Sequence, residues 1–171
     1  MSPIASAALK VGVATGAAAI VLVRTRNLPR EEMGFVRPEG AATLLFVFLL
    51  LAWMLATDAI FHWRGPWDFR PWAAAPLLAS ILRVLAVGFI GPTAEELIFR
   101  AYFFHRLRRL GPVAQIAITA IGWALLHQDY SWTVISIIAV DGLLLGLARW
   151  RTGSVLPPIV MHISYNLYAI W

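Results

Sequence analysis

The stretch Ala41–Phe61, AATLLFVFLLLAWMLATDAIF, decides the fold class: its 21 residues contain no Arg, Lys, Gly or Pro. A helix needs about 20 mostly apolar residues to cross a hydrocarbon core about 30 Å thick, so this segment reads as a membrane span. The whole chain agrees, with 60% hydrophobic and 13% charged residues and a mean hydropathy of +0.75. A soluble domain carries about 45–50% apolar and about 25% charged residues, so this chain lacks the polar surface that water requires. The expected fold is all-α: a polytopic transmembrane bundle of six to seven helices, forming one integral-membrane domain over residues 1–171.

Reading outward, apolar runs between Arg, Pro and Gly clusters mark the other spans. The first is Ile4 to Val23, rich in Ala and Gly, with Lys10 snorkelling toward the interface. Arg24 to Gly40 reads as a loop or interfacial segment. After the loop His62 to Pro71, whose Trp63 and Trp67 with Trp72 suit the headgroup level, a third span runs to Gly91, where Gly91-Pro92 is expected to break it. A shorter helix from Thr93 to Leu110, then spans ending at His127, Ala148 and Trp171, complete the chain. With seven crossings, Arg64, Arg70, Arg106, Arg108, Arg109, Arg149 and Arg151 lie on one side, expected to be cytoplasmic, and Arg24, Arg26, Arg30 and Arg37 on the other.

Several function classes drop out on composition. The chain has no Cys, which removes disulfides, thiolate metal cages and cysteine nucleophiles. The net charge of +5 belongs beside lipid headgroups in so apolar a chain, so the bilayer is the expected partner and nucleic acid is not. High Arg and Ala with a single Lys suggest a prokaryotic source and thus the cytoplasmic, or inner, membrane.

Ionisable groups inside membrane helices cost at least about 2.5–3.5 kcal/mol each at the bilayer centre, so they are functional candidates by default. Glu96 and Arg100 are spaced i,i+4 and share a helix face, as an ion pair would. Glu95 points about 100° away with no obvious partner, the situation of a general base; equally, both acids would stabilise a positive helix N-terminus. His127 ends a span one turn after Trp123, where a C-capping role competes with a catalytic one. His162 and Asn166, also i,i+4, present an imidazole and an amide on one face, either as donors to an oxyanion or as helix-to-helix glue. Asp141 is expected to pair with Arg83, and His105 to be a solvated neighbour of Arg109. Gly12-x-x-x-Gly16 and Gly142-x-x-x-Gly146 read as close-packing motifs.

Glu95-Glu96-Leu97-Ile98-Phe99-Arg100, an aromatic residue four positions before His127, and His162-x-x-x-Asn166 resemble the three ordered motifs of the CAAX-protease and bacteriocin-processing family (CPBP, also called ABI), glutamic-type intramembrane proteases related to the CAAX prenyl endopeptidase. Arg151 to His162 resembles the family's segment before the last motif, and the family-like core covers about residues 92–166. The resemblance implies a catalytic cavity within the membrane in which Glu95, with His127, activates a water, His162 and Asn166 stabilise the oxyanion, and Glu96 and Arg100 hold the geometry. It implies no cofactor and no metal, and as substrate a membrane-associated protein or peptide: a CAAX-type protein, a C-terminal sorting signal or a bacteriocin-like precursor. Trp123 stands where the family usually has Phe, and Ala101 where Gly usually follows the Arg; both are expected to alter pocket shape rather than chemistry. Asp141 takes a position more often apolar or small.

Other readings stand beside it. The chain is alternatively a non-catalytic membrane scaffold or immunity protein, or a small transporter whose Glu and His line a polar path. A zinc-dependent intramembrane protease using His127, His162 and Glu95 is a further alternative, without a His-Glu-x-x-His helix to support it.

Overall fold

The computed structural model describes residues 2–61 and 75–170. Seven helices form among them: α1 (Pro3–Thr25), the four-residue α2 (Arg30–Met33), α3 (Gly40–Phe61), α4 (Leu77–Arg106), α5 (Gly111–Leu125), α6 (Trp132–Thr152) and α7 (Leu156–Ile170). Four of them, α1, α3, α4 and α6, are long and apolar enough to cross a membrane. The protein is an integral, multi-pass membrane protein. The Trp-bearing loop and His62 lie outside the described residues.

Local chemistry sets the helix ends. Ser2 Oγ accepts from the Ala5 N–H at 3.2 Å to cap α1. The Glu39 carboxylate accepts from the N–H groups of Ala41 and Ala42 at 2.9 and 2.6 Å and opens α3. Those bonds favour the ionised form and hold Glu39 below the usual carboxylate value. Gly153 leaves α6 in the left-handed region, with φ 69°.

Gly91-Pro92 does not break the chain. α4 runs through it for 30 residues, with π-helical turns at Val84–Ile90 and Leu97–Phe103. In the wider turn the Gly91 N–H reaches back to the carbonyl of Ala86, the Thr93 hydroxyl donates to Phe89 O at 2.7 Å, and Val87 O, five residues before Pro92, receives Asn166 Nδ2 at 2.8 Å. The residue must be glycine, because a Cβ at 91 would sit 2.7 Å from Ala86 O.

Because α4 is one helix, the expected division of the arginines does not hold among the described residues, outside which Arg64 and Arg70 lie. Val155 N–H donates to Gly34 O at 2.9 Å, Ser154 Oγ to Val36 O at 2.7 Å and Arg149 Nη2 to Glu32 O at 3.2 Å. The segment carrying Arg24, Arg26, Arg30 and Arg37 therefore packs at the same end of the bundle as Arg106, Arg108, Arg109, Arg149 and Arg151. His105 is not solvated there: it is 6% exposed and its Nδ1 meets Glu32 at 2.9 Å.

α5 and α6 pack tightly. A Cβ at Gly142 would lie 2.9 Å from the Ala120 backbone, and one at Gly146 would lie 3.1 Å from Ile116, as the small-xxx-small motif predicts. Gly12 and Gly16 have no such neighbour within 4 Å. The α5–α6 contact sets the position of Trp123 and of everything it touches.

Candidate active site

Three helices bring the motif residues together. Glu95 comes from α4, His127 follows α5, and His162 and Asn166 lie one turn apart on α7; all four line one cavity of about 630 Å³. Lys10, Asp141 and Tyr165 line it as well. Its walls are mostly apolar side chains, so the few polar groups in it face little competing water. Among the described residues, no group of three His, Asp or Glu side chains is placed to hold a metal ion.

Beneath the cavity lies a buried ionic cluster. Arg100 Nη1 donates to Glu96 Oε1 at 2.9 Å, with both side chains 0% exposed. Arg100 Nη2 donates to Gly142 O at 3.1 Å, and Arg149 Nε donates to the carbonyl of Arg100 at 2.9 Å. These bonds fix α4 against α6 at the π-helical turn, where backbone carbonyls need partners from outside the helix. His162 Nδ1 meets the same Glu96 oxygen at 2.8 Å. Because a carboxylate accepts, Nδ1 is the donor, and Nε2 is the nitrogen left for other partners.

His127 is oriented in the same way. Its Nδ1 lies 3.1 Å from the carbonyl of Trp123, which can only accept, so Nδ1 carries the hydrogen and Nε2 is the basic nitrogen of the neutral ring. Asn166 Nδ2 donates to Val87 O at 2.8 Å, in the first π-helical turn; one hydrogen of that amide remains for another acceptor.

Two expectations fail here. Glu95 has a partner: the indole N–H of Trp123 donates to its Oε2 at 2.6 Å, from 28 positions further along the chain. Trp123 thus contacts a motif carboxylate directly. Asp141 does not face Arg83; it is buried, with Trp53, His162 and Arg100 as its polar neighbours. A period of 3.6 residues cannot reveal either contact, since each depends on how separate helices cross.

Residues 76–168, more than half of the chain, match the family model described as Type II CAAX prenyl endopeptidase Rce1-like. The chain belongs to this family. The match to the Rce1-like CAAX endopeptidases begins just before α4 and takes in α4 to α7, the helices that carry all the motif residues. This is a protease family, and its members act within membranes on protein substrates. No curated protein and no solved structure matches the chain.

Proposed function

We propose that the protein is an intramembrane endopeptidase that cleaves a membrane-associated protein or peptide by attack of a water activated at Glu95. The observation that carries this reading is the convergence of Glu95, His127, His162 and Asn166 on one cavity. An amide needs both a deprotonated water and stabilisation of the charge that develops on its oxygen.

In this reading the water gives a proton to Glu95 as its oxygen bonds to the scissile carbonyl carbon, and His127 Nε2 orients that water by accepting its second hydrogen. The oxyanion forms beside Asn166 Nδ2 and His162 Nε2. Donation from Nε2 requires the doubly protonated ring, which shares the Glu96 carboxylate at Nδ1 with Arg100. As the tetrahedral centre collapses, the C–N bond breaks and Glu95 returns its proton to the leaving amine. No covalent enzyme intermediate forms. Glu96 and Arg100 hold α4 so that Glu95 faces the cavity.

The substrate belongs to the CAAX-type, C-terminal-signal or bacteriocin-precursor classes, and the setting is a prokaryotic cytoplasmic membrane with the arginine-rich end of the bundle inside. The test compares the protein termini in membranes of cells carrying wild type or Glu95→Gln at matched abundance, by mass spectrometry. New termini that need Glu95 support the proposal and name substrates; identical termini across growth conditions contradict it.

A further inference from the structure

Trp123 meets Glu95, His127, His162 and Arg100 at once. It is 4% exposed. Its indole N–H holds Glu95 Oε2 at 2.6 Å, while its backbone carbonyl holds His127 Nδ1 at 3.1 Å. The His127 and His162 rings meet its ring edge-on, at centroid distances of 5.3 and 4.9 Å. The Arg100 guanidinium lies 4.9 Å from its ring centre, within cation–π range. α5 carries Trp123 against α6 at backbone contact distance through Gly142, so the indole has little freedom to follow a moving carboxylate.

We propose that Trp123 is a positioning residue for Glu95: it ties down Oε2 and so dedicates Oε1 to taking the proton from the attacking water. This rests on the protease reading above. A carboxylate on a helix has rotatable bonds, and both oxygens would otherwise compete for the same water. An indole N–H is suited to restraining it, since it donates one directed hydrogen bond, never accepts one and brings no charge into an apolar cavity. A ring without that hydrogen would keep an aromatic face beside the histidines and Arg100, yet leave Glu95 free to turn. Because the carbonyl of Trp123 also sets the tautomer of His127, one residue aligns the acceptor of each of the two water hydrogens.

Two measurements test this. The first needs no substrate: the protein is labelled with 15N-tryptophan in detergent, and the indole N–H signals of wild type, Glu95→Ala and Trp123→Phe are compared. The signal missing from Trp123→Phe is expected to move in Glu95→Ala while the other indole signals hold still. If no indole signal responds to Glu95→Ala, the hydrogen bond is absent and the proposal is overturned, whether or not the Trp123 variant folds. The second uses a cleaved substrate from the terminus comparison. Trp123→Phe is expected to lower kcat by about 10- to 100-fold, the cost of a misplaced catalytic group, with KM within about twofold, measured at a temperature where the variant is fully folded. An unchanged kcat, or a loss carried entirely by KM, overturns the positioning role. A wild type with no Glu95-dependent cleavage overturns the protease reading instead, and the indole signals still report on the bond itself.

Discussion

Glu96 and Arg100 meet at 2.9 Å with neither side chain exposed at all. Taking both charges out of water is costly, and further bonds offset part of that cost: Glu96 Oε1 also receives His162, and Arg100 also reaches Gly142 O, while Glu96 Oε2 and Arg100 Nε are buried without a hydrogen-bond partner. The same carboxylate oxygen holds the ring of His162 at 2.8 Å.

Removing one partner exposes that cost. Arg100→Ala leaves Glu96 buried and uncompensated, and a loss of about 3–5 kcal/mol is expected. Thermal unfolding and yield in detergent should suffer more in this variant than in Glu95→Gln or Asn166→Ala. Wild-type stability in Arg100→Ala would mean that the pair contributes nothing.

Gly91 is a second sensitive point. A methyl group there meets Ala86 O at 2.7 Å, so Gly91→Ala should lose about 1–3 kcal/mol, as overpacked sites do. An unchanged melting temperature would show that α4 passes Pro92 without the wide turn.

Asn166 separates two roles. Its bond to Val87 O joins α7 to α4, and such membrane bonds are worth about 0.6 kcal/mol on average and at most about 1.7. As an oxyanion donor it is worth about 10²–10³ in kcat. Asn166→Ala is therefore expected to remain folded while its kcat drops by that factor. A variant with full kcat and lowered stability would make Asn166 helix glue only.

The pH dependence of stability has a contribution at Glu39. The Ala42 and Ala41 N–H groups hold its carboxyl below its ordinary 4.5. A group lowered on folding stabilises the protein above its unfolded value, and that stability is lost as pH falls through the folded value. The stability of wild type relative to Glu39→Gln should thus be constant above about pH 5 and shrink under more acidic conditions. A difference that does not change with pH would remove Glu39 as a charged cap.

Much of this arrangement was readable from spacing. The i,i+4 rule found the Glu96–Arg100 pair and placed His162 and Asn166 on one face, and the small-xxx-small pattern found the Gly142 and Gly146 contact. What failed depended on how helices meet. Gly91-Pro92 carries the usual signal of a break, yet a π-helical turn absorbs a missing N–H and the chain continues. That one error also misplaced the arginines: the hydrogen bonds of Glu32, Gly34 and Val36 bring the segment carrying Arg24, Arg26, Arg30 and Arg37 to the end that holds Arg106, Arg108, Arg109, Arg149 and Arg151. Trp123 was visible as an aromatic in a motif, but its bond to Glu95 arises only where α5 crosses α4.

The central claim is that Glu95 is the base. The most direct measurement is cleavage of a substrate taken from the terminus comparison by purified wild type and Glu95→Gln, the two matched in melting temperature. Glutamine keeps the size of the side chain, and its carbonyl still accepts a hydrogen bond from Trp123, so only proton transfer is lost. Wild type is expected to cleave, with Glu95→Gln folded and inactive. A folded Glu95→Gln protein that cleaves at the wild-type rate would contradict the account.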